Sequence, residues 1–81
     1  MSVRVRLFAA LREIAGRSEL EIQLPAGATA EDAWRALVRD YPALEVRRGH
    51  LAAAVNRRYA DFDTPLAPGD EVAFVPPVSG G

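Results

Sequence analysis

The sequence contains no cysteine and no lysine, and a single histidine and tryptophan. Without cysteine there is no disulfide scaffold, no zinc–thiolate site and no thiol nucleophile. Without lysine there is no side-chain amine, so two copies cannot be joined through a lysine isopeptide bond. All ten basic residues are arginine, set against eleven acidic ones. The resulting net charge of -1 leaves no basic surplus for nucleic acid or an anionic membrane surface. Apolar runs such as Leu51 to Val55 are far too short to span a bilayer. The opening Met-Ser-Val-Arg-Val-Arg interrupts any apolar leader, so a cytoplasmic protein is expected. Conventional catalytic groups are scarce too. His50 stands alone at a loop-to-strand junction and reads as structural or solvated. The acidic pairs Glu31-Asp32, Asp61 with Asp63 and Asp70-Glu71 fall in turns or a helix start, where capping and solvation account for them. Gly27, Gly49 and Gly69 do not compose a phosphate-cradling loop, and no cluster has metal-ligand spacing.

What is present is an ordinary globular mix, 49% hydrophobic and 26% charged over 81 residues, enough for one small domain. Val3, Val5 and Leu7 alternate with Arg4 and Arg6, the period of a half-buried strand. A short helical turn over Ala9 to Ala15 closes at Gly16. Leu20, Ile22 and Leu24 alternate with Glu19, Glu21 and Gln23 in a second strand, which the short connection predicts to be antiparallel to the first. Thr29 with Asp32 forms a capping-box-like helix start. Ala33, Trp34, Leu37, Val38 and Tyr41 give one apolar helical stripe, with Trp34 and Tyr41 as core and edge packing, and Pro42 stops the helix. Ala43 to Gly49 reads as a loop, Leu51 to Asn56 as a buried strand and Asn56-Arg57-Arg58 as a turn. Tyr59 to Phe62 reads as a short edge strand, Pro68-Gly69-Asp70 as a turn and Glu71 to Val75 as the last strand, ended by Pro76-Pro77. Strands grouped around one helix predict an α+β fold with the helix on one face of a mixed sheet. The expected domain spans residues 1–77, with a flexible tail over 78–81.

Two features point to function. If Val3, Val5 and Leu7 face the helix, Phe8 falls on the outer sheet face with Arg4 and Arg6. Val75 shares that side with Glu71 and Ala73. Large apolar groups on a nominally wet face mark a contact patch; the alternative is that Phe8 turns inward at the strand end. Arg47-Arg48 and Arg57-Arg58 suit either an acidic partner or a solvated surface. The second feature is Pro76-Pro77-Val78-Ser79-Gly80-Gly81. The prolines lead the backbone off the sheet, and Val78 to Gly81 reach roughly 13 Å when extended. Two glycines pass through a channel too narrow for side chains and present the Gly81 carboxylate inside another protein; a frayed terminus is the plain alternative.

Together these features resemble the family of small, sulfur-carrying subunits of molybdopterin synthase, which are ubiquitin-like β-grasp proteins. The segments that carry the resemblance are Gly69 to Gly81 (GDEVAFVPPVSGG), Leu7 to Glu13 (LFAALRE) and Ala53 to Asn56 (AAVN). The resemblance implies a carrier cycle. An ATP-dependent activating enzyme adenylates the Gly81 carboxylate, a sulfur donor converts it to a thiocarboxylate, and the large synthase subunit receives the tail, in an assembly expected to be a heterotetramer. Sulfur then passes to cyclic pyranopterin monophosphate. This chain would bind no cofactor or metal, and ATP would belong to the activating enzyme. Carried over by position, partner contacts fall on Phe8, Arg12, Tyr59 and Val75, with Pro76, Pro77, Val78, Ser79 and Gly80 threading the channel. The family often has a larger aromatic where Val75 stands and an aliphatic residue where Tyr59 stands. Carriers for tRNA thiolation or thiamine synthesis, a ubiquitin-like modifier and a non-carrier β-grasp interaction module remain alternatives.

Overall fold

The structure is a computed structural model and describes residues 1–76. Strand β1 (Ser2–Leu7) leads through helix α1 (Ala9–Ala15) to β2 (Glu19–Gln23). Helix α2 (Ala30–Asp40) is followed by a 3-10 segment (Pro42–His50), then β3 (Ala52–Val55), β4 (Arg58–Ala60) and β5 (Glu71–Val75). The five strands form one sheet in the order β2-β1-β5-β3-β4. β1 and β5 run parallel at its centre, and the other pairs are antiparallel. This is the mixed-sheet, α+β arrangement expected of a ubiquitin-like β-grasp domain.

The alternation of the strands decides which face is dry. Val3, Val5 and Leu7 of β1 and Val72 and Phe74 of β5 are fully buried, and they meet Ala33, Trp34 and Leu37 of α2 in a single core. Phe74 sits at its middle. Trp34 meets it edge-on at 5.1 Å between ring centroids, and Phe62 stacks on it at 6.0 Å, both favourable geometries for aromatic pairs.

Helix α2 starts as its sequence dictates. Thr29 Oγ1 accepts from the Asp32 amide at 3.2 Å, and Asp32 Oδ2 accepts from the Thr29 amide at 2.9 Å. The next two amides of its first turn, Ala30 and Glu31, donate to the Thr64 and Phe62 carbonyls at 3.1 and 2.8 Å. The loop before β5 therefore satisfies donors that a helix start leaves without internal partners.

Three expectations need correction. The strand read over Leu51 to Asn56 as buried spans Ala52–Val55 and buries only Ala53, because its other face is the outer face of the sheet. Ala43 to Gly49 is not an irregular loop but the body of the 3-10 segment. Pro42 presets its first turn, Leu44 donates to the Tyr41 carbonyl at 3.0 Å and Leu44 is fully buried. The far end is held by Arg48, whose Nη2 and Nε donate to Glu31 Oε1 at 2.6 and 3.1 Å. Its guanidinium also lies 3.4 Å from the Phe62 ring centroid. Arg48 thus faces its own chain, and Glu31 anchors a long-range ion pair beyond helix-start solvation. The edge strand is also shorter and earlier than expected, Arg58–Ala60 rather than Tyr59 to Phe62. The two-residue turn at Asn56-Arg57 pairs Arg58 with Val55, while Phe62 leaves the sheet edge to pack on Phe74.

Candidate functional site: the outer sheet face

The pairing register assembles the site. Arg6 stands beside Ala73, Ala73 beside Ala54 and Ala54 beside Tyr59, a row across four strands. Val75 stands beside Ala52 in the neighbouring row. Because residues two apart share a face, these side chains point away from α2. Phe8, Tyr59 and Val75 surround a shallow depression of about 320 Å³ floored by Ala54 and Ala73, with Arg6, Arg57 and Glu71 completing its wall. Phe8 is 39% and Tyr59 64% exposed.

Local backbone geometry turns Phe8 outward. It is the extended cap of α1 (φ -127°, ψ 157°), and Ala9 after it adopts φ 49°, a left-handed reversal uncommon for a residue with a side chain. The Leu11 and Arg12 amides donate to the Phe8 carbonyl at 3.1 and 3.4 Å. Leu7 and Leu11 on either side of the reversal fill the core. The inward alternative for Phe8 is therefore set aside.

The charges around the depression are loosely held. Glu71 lies 3.9 Å from Arg6 and 4.0 Å from Arg57, at the limit of ion pairing and too long for hydrogen bonds. The Arg6 guanidinium sits 5.4 Å from the Phe8 ring centroid, within cation–π range. Just before β5, Asp70 Oδ2 accepts from the Ala67 amide at 2.8 Å and Oδ1 accepts from the Asn56 side chain at 3.0 Å. These bonds, the Ala67 amide first, hold the Asp70 carboxyl below its ordinary range because they favour the charged form. Asn56 completes the clamp by accepting from the Glu71 amide at 3.0 Å, fixing the start of β5 to the β3–β4 turn.

The structure brings Phe8, Tyr59 and Val75 together. Arg12 is exposed on α1 and is not part of the depression. Pro76 is exposed and lines a second groove together with Phe8. Pro77, Val78, Ser79, Gly80 and Gly81 lie outside the described residues. The alanine floor and the shared carboxylate of Glu71 escape a strand-by-strand reading of the sequence, because only the cross-strand register makes them neighbours. Among the described residues, no group of three or more His, Asp or Glu side chains is placed to hold a metal ion, and no helix is long and apolar enough to cross a membrane.

Against this geometry the similarities are specific. The model of the ThiS family matches residues 5–81. The molybdopterin synthase sulfur carrier subunit of Escherichia coli is 43% identical over 98% of this chain and 99% of its own length. The crystal structure of SAMP1 from Haloferax volcanii superposes with a TM-score of 0.87 at 38% identity, covering all of both chains. One chain of the complex of subunits 1 and 2 of molybdopterin-converting factor from Helicobacter pylori superposes with a TM-score of 0.70 at 29% identity, again covering all of both chains. With its β-grasp sheet and a family match that runs through the final diglycine, the chain belongs to the ThiS family, within the group of molybdopterin synthase sulfur carrier subunits.

Proposed function

We propose that this chain carries sulfur on the Gly81 carboxylate and delivers it to a pterin precursor in the large subunit of molybdopterin synthase. The observation that carries the proposal is the full-length likeness to sulfur carrier subunits, which extends through Gly80 and Gly81. The chemistry is consistent with the residues. A carboxylate is a poor electrophile, so an activating enzyme first joins it to AMP from ATP, releasing pyrophosphate. A sulfur donor then displaces AMP and leaves a thiocarboxylate, a soft nucleophile suited to making a carbon–sulfur bond. With no cysteine in the chain, a side-chain persulfide is not an alternative handle. Catalytic groups and nucleotide contacts belong to the partners, and this chain needs no cofactor of its own.

In this reading the outer face docks both partners. Phe8, Tyr59 and Val75 supply the apolar centre, Arg12 stands at one side, and Pro76 to Ser79 lead Gly80 and Gly81 into the partner's channel. The large subunit is the proposed partner because a similar chain occurs in a complex of subunits 1 and 2 of molybdopterin-converting factor. The decisive experiment incubates the full chain with a cognate activating enzyme, ATP and a sulfur donor, and measures intact mass. An oxygen-to-sulfur exchange located at Gly81 is expected; its absence with an enzyme that adenylates the chain refutes the carrier reading. The likeness to SAMP1, a small archaeal modifier protein, favours protein modification as a second reading. It predicts Gly81 joined by an isopeptide bond to lysines of other proteins, detectable by peptide mass spectrometry.

A further inference from the structure

β2 and β4 close the two ends of the sheet, and β2 is the longer edge. Its pairing with β1 decides which of its backbone groups are engaged. At one end the Leu24 amide donates to the Met1 carbonyl at 2.8 Å, and the Met1 amine donates to the Leu24 carbonyl. At the other end the Leu7 amide donates to the Ser18 carbonyl at 2.9 Å. Bonded and non-bonded pairs alternate along an antiparallel ladder, so Val3 with Ile22 and Val5 with Leu20 are the bonded pairs between these ends. Glu19, Glu21 and Gln23, opposite Arg6, Arg4 and Ser2, turn their amides and carbonyls away from β1. The Arg4 amide obeys the same alternation and donates to the Asp70 carbonyl on the β5 side at 2.9 Å. Among the described residues, nothing bonds to the outward backbone groups of Glu19, Glu21 and Gln23. Beside this edge, between β2 and α2, runs a groove of about 240 Å³ lined by Ile22 and Ala36, with Arg39 and Asp40 at its α2 wall.

We infer that the β2 edge docks an extended segment of another protein, in which arginine or lysine alternates with small aliphatic residues, as an added strand of the sheet. Backbone bonds would give the affinity and alternate side chains the specificity. β1 shows what β2 accepts on its other side: Arg4 and Arg6 stand across from Glu21 and Glu19, and Val3 and Val5 across from Ile22 and Leu20. An added strand meets the same two rows. On the outer face, the positions directly opposite it are Glu19, Glu21 and Gln23, all exposed and none basic. Arg17 lies beyond Ser18, outside the paired run. Glu21 has no ion pair among the described residues, and Glu19 holds Arg4 at 3.4 Å with both side chains more than half exposed. Opposite charges directly across a strand pair stabilise it, and like charges oppose it. On the α2 side, the groove beside Ile22 and Ala36 has room for a short aliphatic side chain, while Arg39 and Asp40 balance one another. A second copy fits worse. Joining two β2 edges along their length sets Glu21 against Glu21, the kind of charge that guards an edge strand against its own kind. The groove shares no lining residue with the outer depression, so docking at this edge and the proposed delivery of sulfur are separable.

The test titrates the full, isotope-labelled chain with a capped Val-Arg-Val-Arg-Val peptide and follows the backbone amide signals. Shifts are expected at Glu19, Glu21, Gln23 and Ala36, with slower hydrogen exchange at the three β2 amides. A Val-Glu-Val-Glu-Val peptide should bind about five-fold more weakly at low salt, and the gap should narrow as salt is raised. Glu21→Arg should weaken binding of the arginine peptide about five-fold. Glu45→Arg, the same change of charge on the exposed 3-10 segment, should leave it unchanged. Glu21→Gln should give a smaller loss, and serves if the charge reversal disturbs the fold. An arginine peptide N-methylated at the residues that face the edge lacks the donors and should not bind. Absence of shifts at millimolar peptide overturns the inference, as does equal binding by the glutamate peptide. Full binding by the N-methylated peptide also overturns it, since charge alone would then hold the peptide. Protection of the β2 amides that rises with protein concentration, without peptide, gives the edge to a second copy and rejects the proposed occupant. Shifts confined to Phe8, Tyr59 and Val75 reject the edge and leave the carrier reading standing.

Discussion

Asn56 and Arg57 occupy the two central positions of the β3–β4 turn with φ of 51° and 71°. Hairpins of two-residue loops favour that geometry, and Asn suits the first position well. Arg57 does not; a side chain in the left-handed region costs roughly 1–2 kcal/mol, and its ion pair with Glu71 is too long and exposed to offset it. Arg57→Gly should therefore raise stability by about 0.5–1 kcal/mol in urea denaturation, the greater unfolded-state entropy of glycine taking part of the gain. Asp70 offers a pH test at the same scale. Its carboxyl is held below the ordinary value of 3.8, so the unfolded chain takes up a proton more readily than the folded one. Its stabilising contribution is full above that value and is lost as pH falls below it through the folded pKa. Asp70→Ala should cost about 1 kcal/mol at neutral pH and flatten the acid limb of a stability–pH curve. A third expectation at this scale concerns Phe8: Phe8→Asp should weaken binding to the large subunit by more than about 1 kcal/mol while leaving the fold intact, as for a buried interface anchor. Isothermal titration with a circular-dichroism control checks both halves.

At the scale of elements, the parts most legible in the sequence are those whose periodicity is local. The alternation of Val3, Val5 and Leu7, the capping box at Thr29 and the run Glu71 to Val75 each specify an element by themselves, and the structure places them where the pattern does. The 3-10 segment was illegible for the same reason. Pro42 to His50 has one fully buried side chain, Leu44, hence no apolar period, and its far end is held by Arg48 on Glu31, 17 residues away in sequence. No local pattern encodes such a contact. On the outer face, Phe8 and Val75 were legible from alternation, but the alanine floor between them needs the order of the strands. Arg48 can be tested as a hinge of this architecture. Arg48→Ala removes two charge-assisted hydrogen bonds and the stacking on Phe62; it should cost about 2 kcal/mol. Hydrogen exchange should show faster opening in the 3-10 segment than in β1 or β5, and uniform loss across the domain would show that the segment does not open separately.

For the molecule as a whole, the described residues share one sheet and one core, and the proposed chemistry is assigned to Gly81. Deleting Gly81 should abolish sulfur acquisition and leave the unfolding midpoint unchanged, since among the described residues the core is built from side chains upstream of Pro76. Intact mass and thermal denaturation of the same sample check the two halves. The parallel pairing of β1 with β5 adds a consequence for biosynthesis. The first strand made has the last strand made as its central neighbour, so a ribosome-bound chain lacking residues 71–75 has a sheet split in two. Such sequence-distant pairing slows folding. It also makes β5 the element on which a whole sheet depends: a chain that stops before residue 71 lacks the strand that joins β1 to β3, and its two hairpins have no common neighbour.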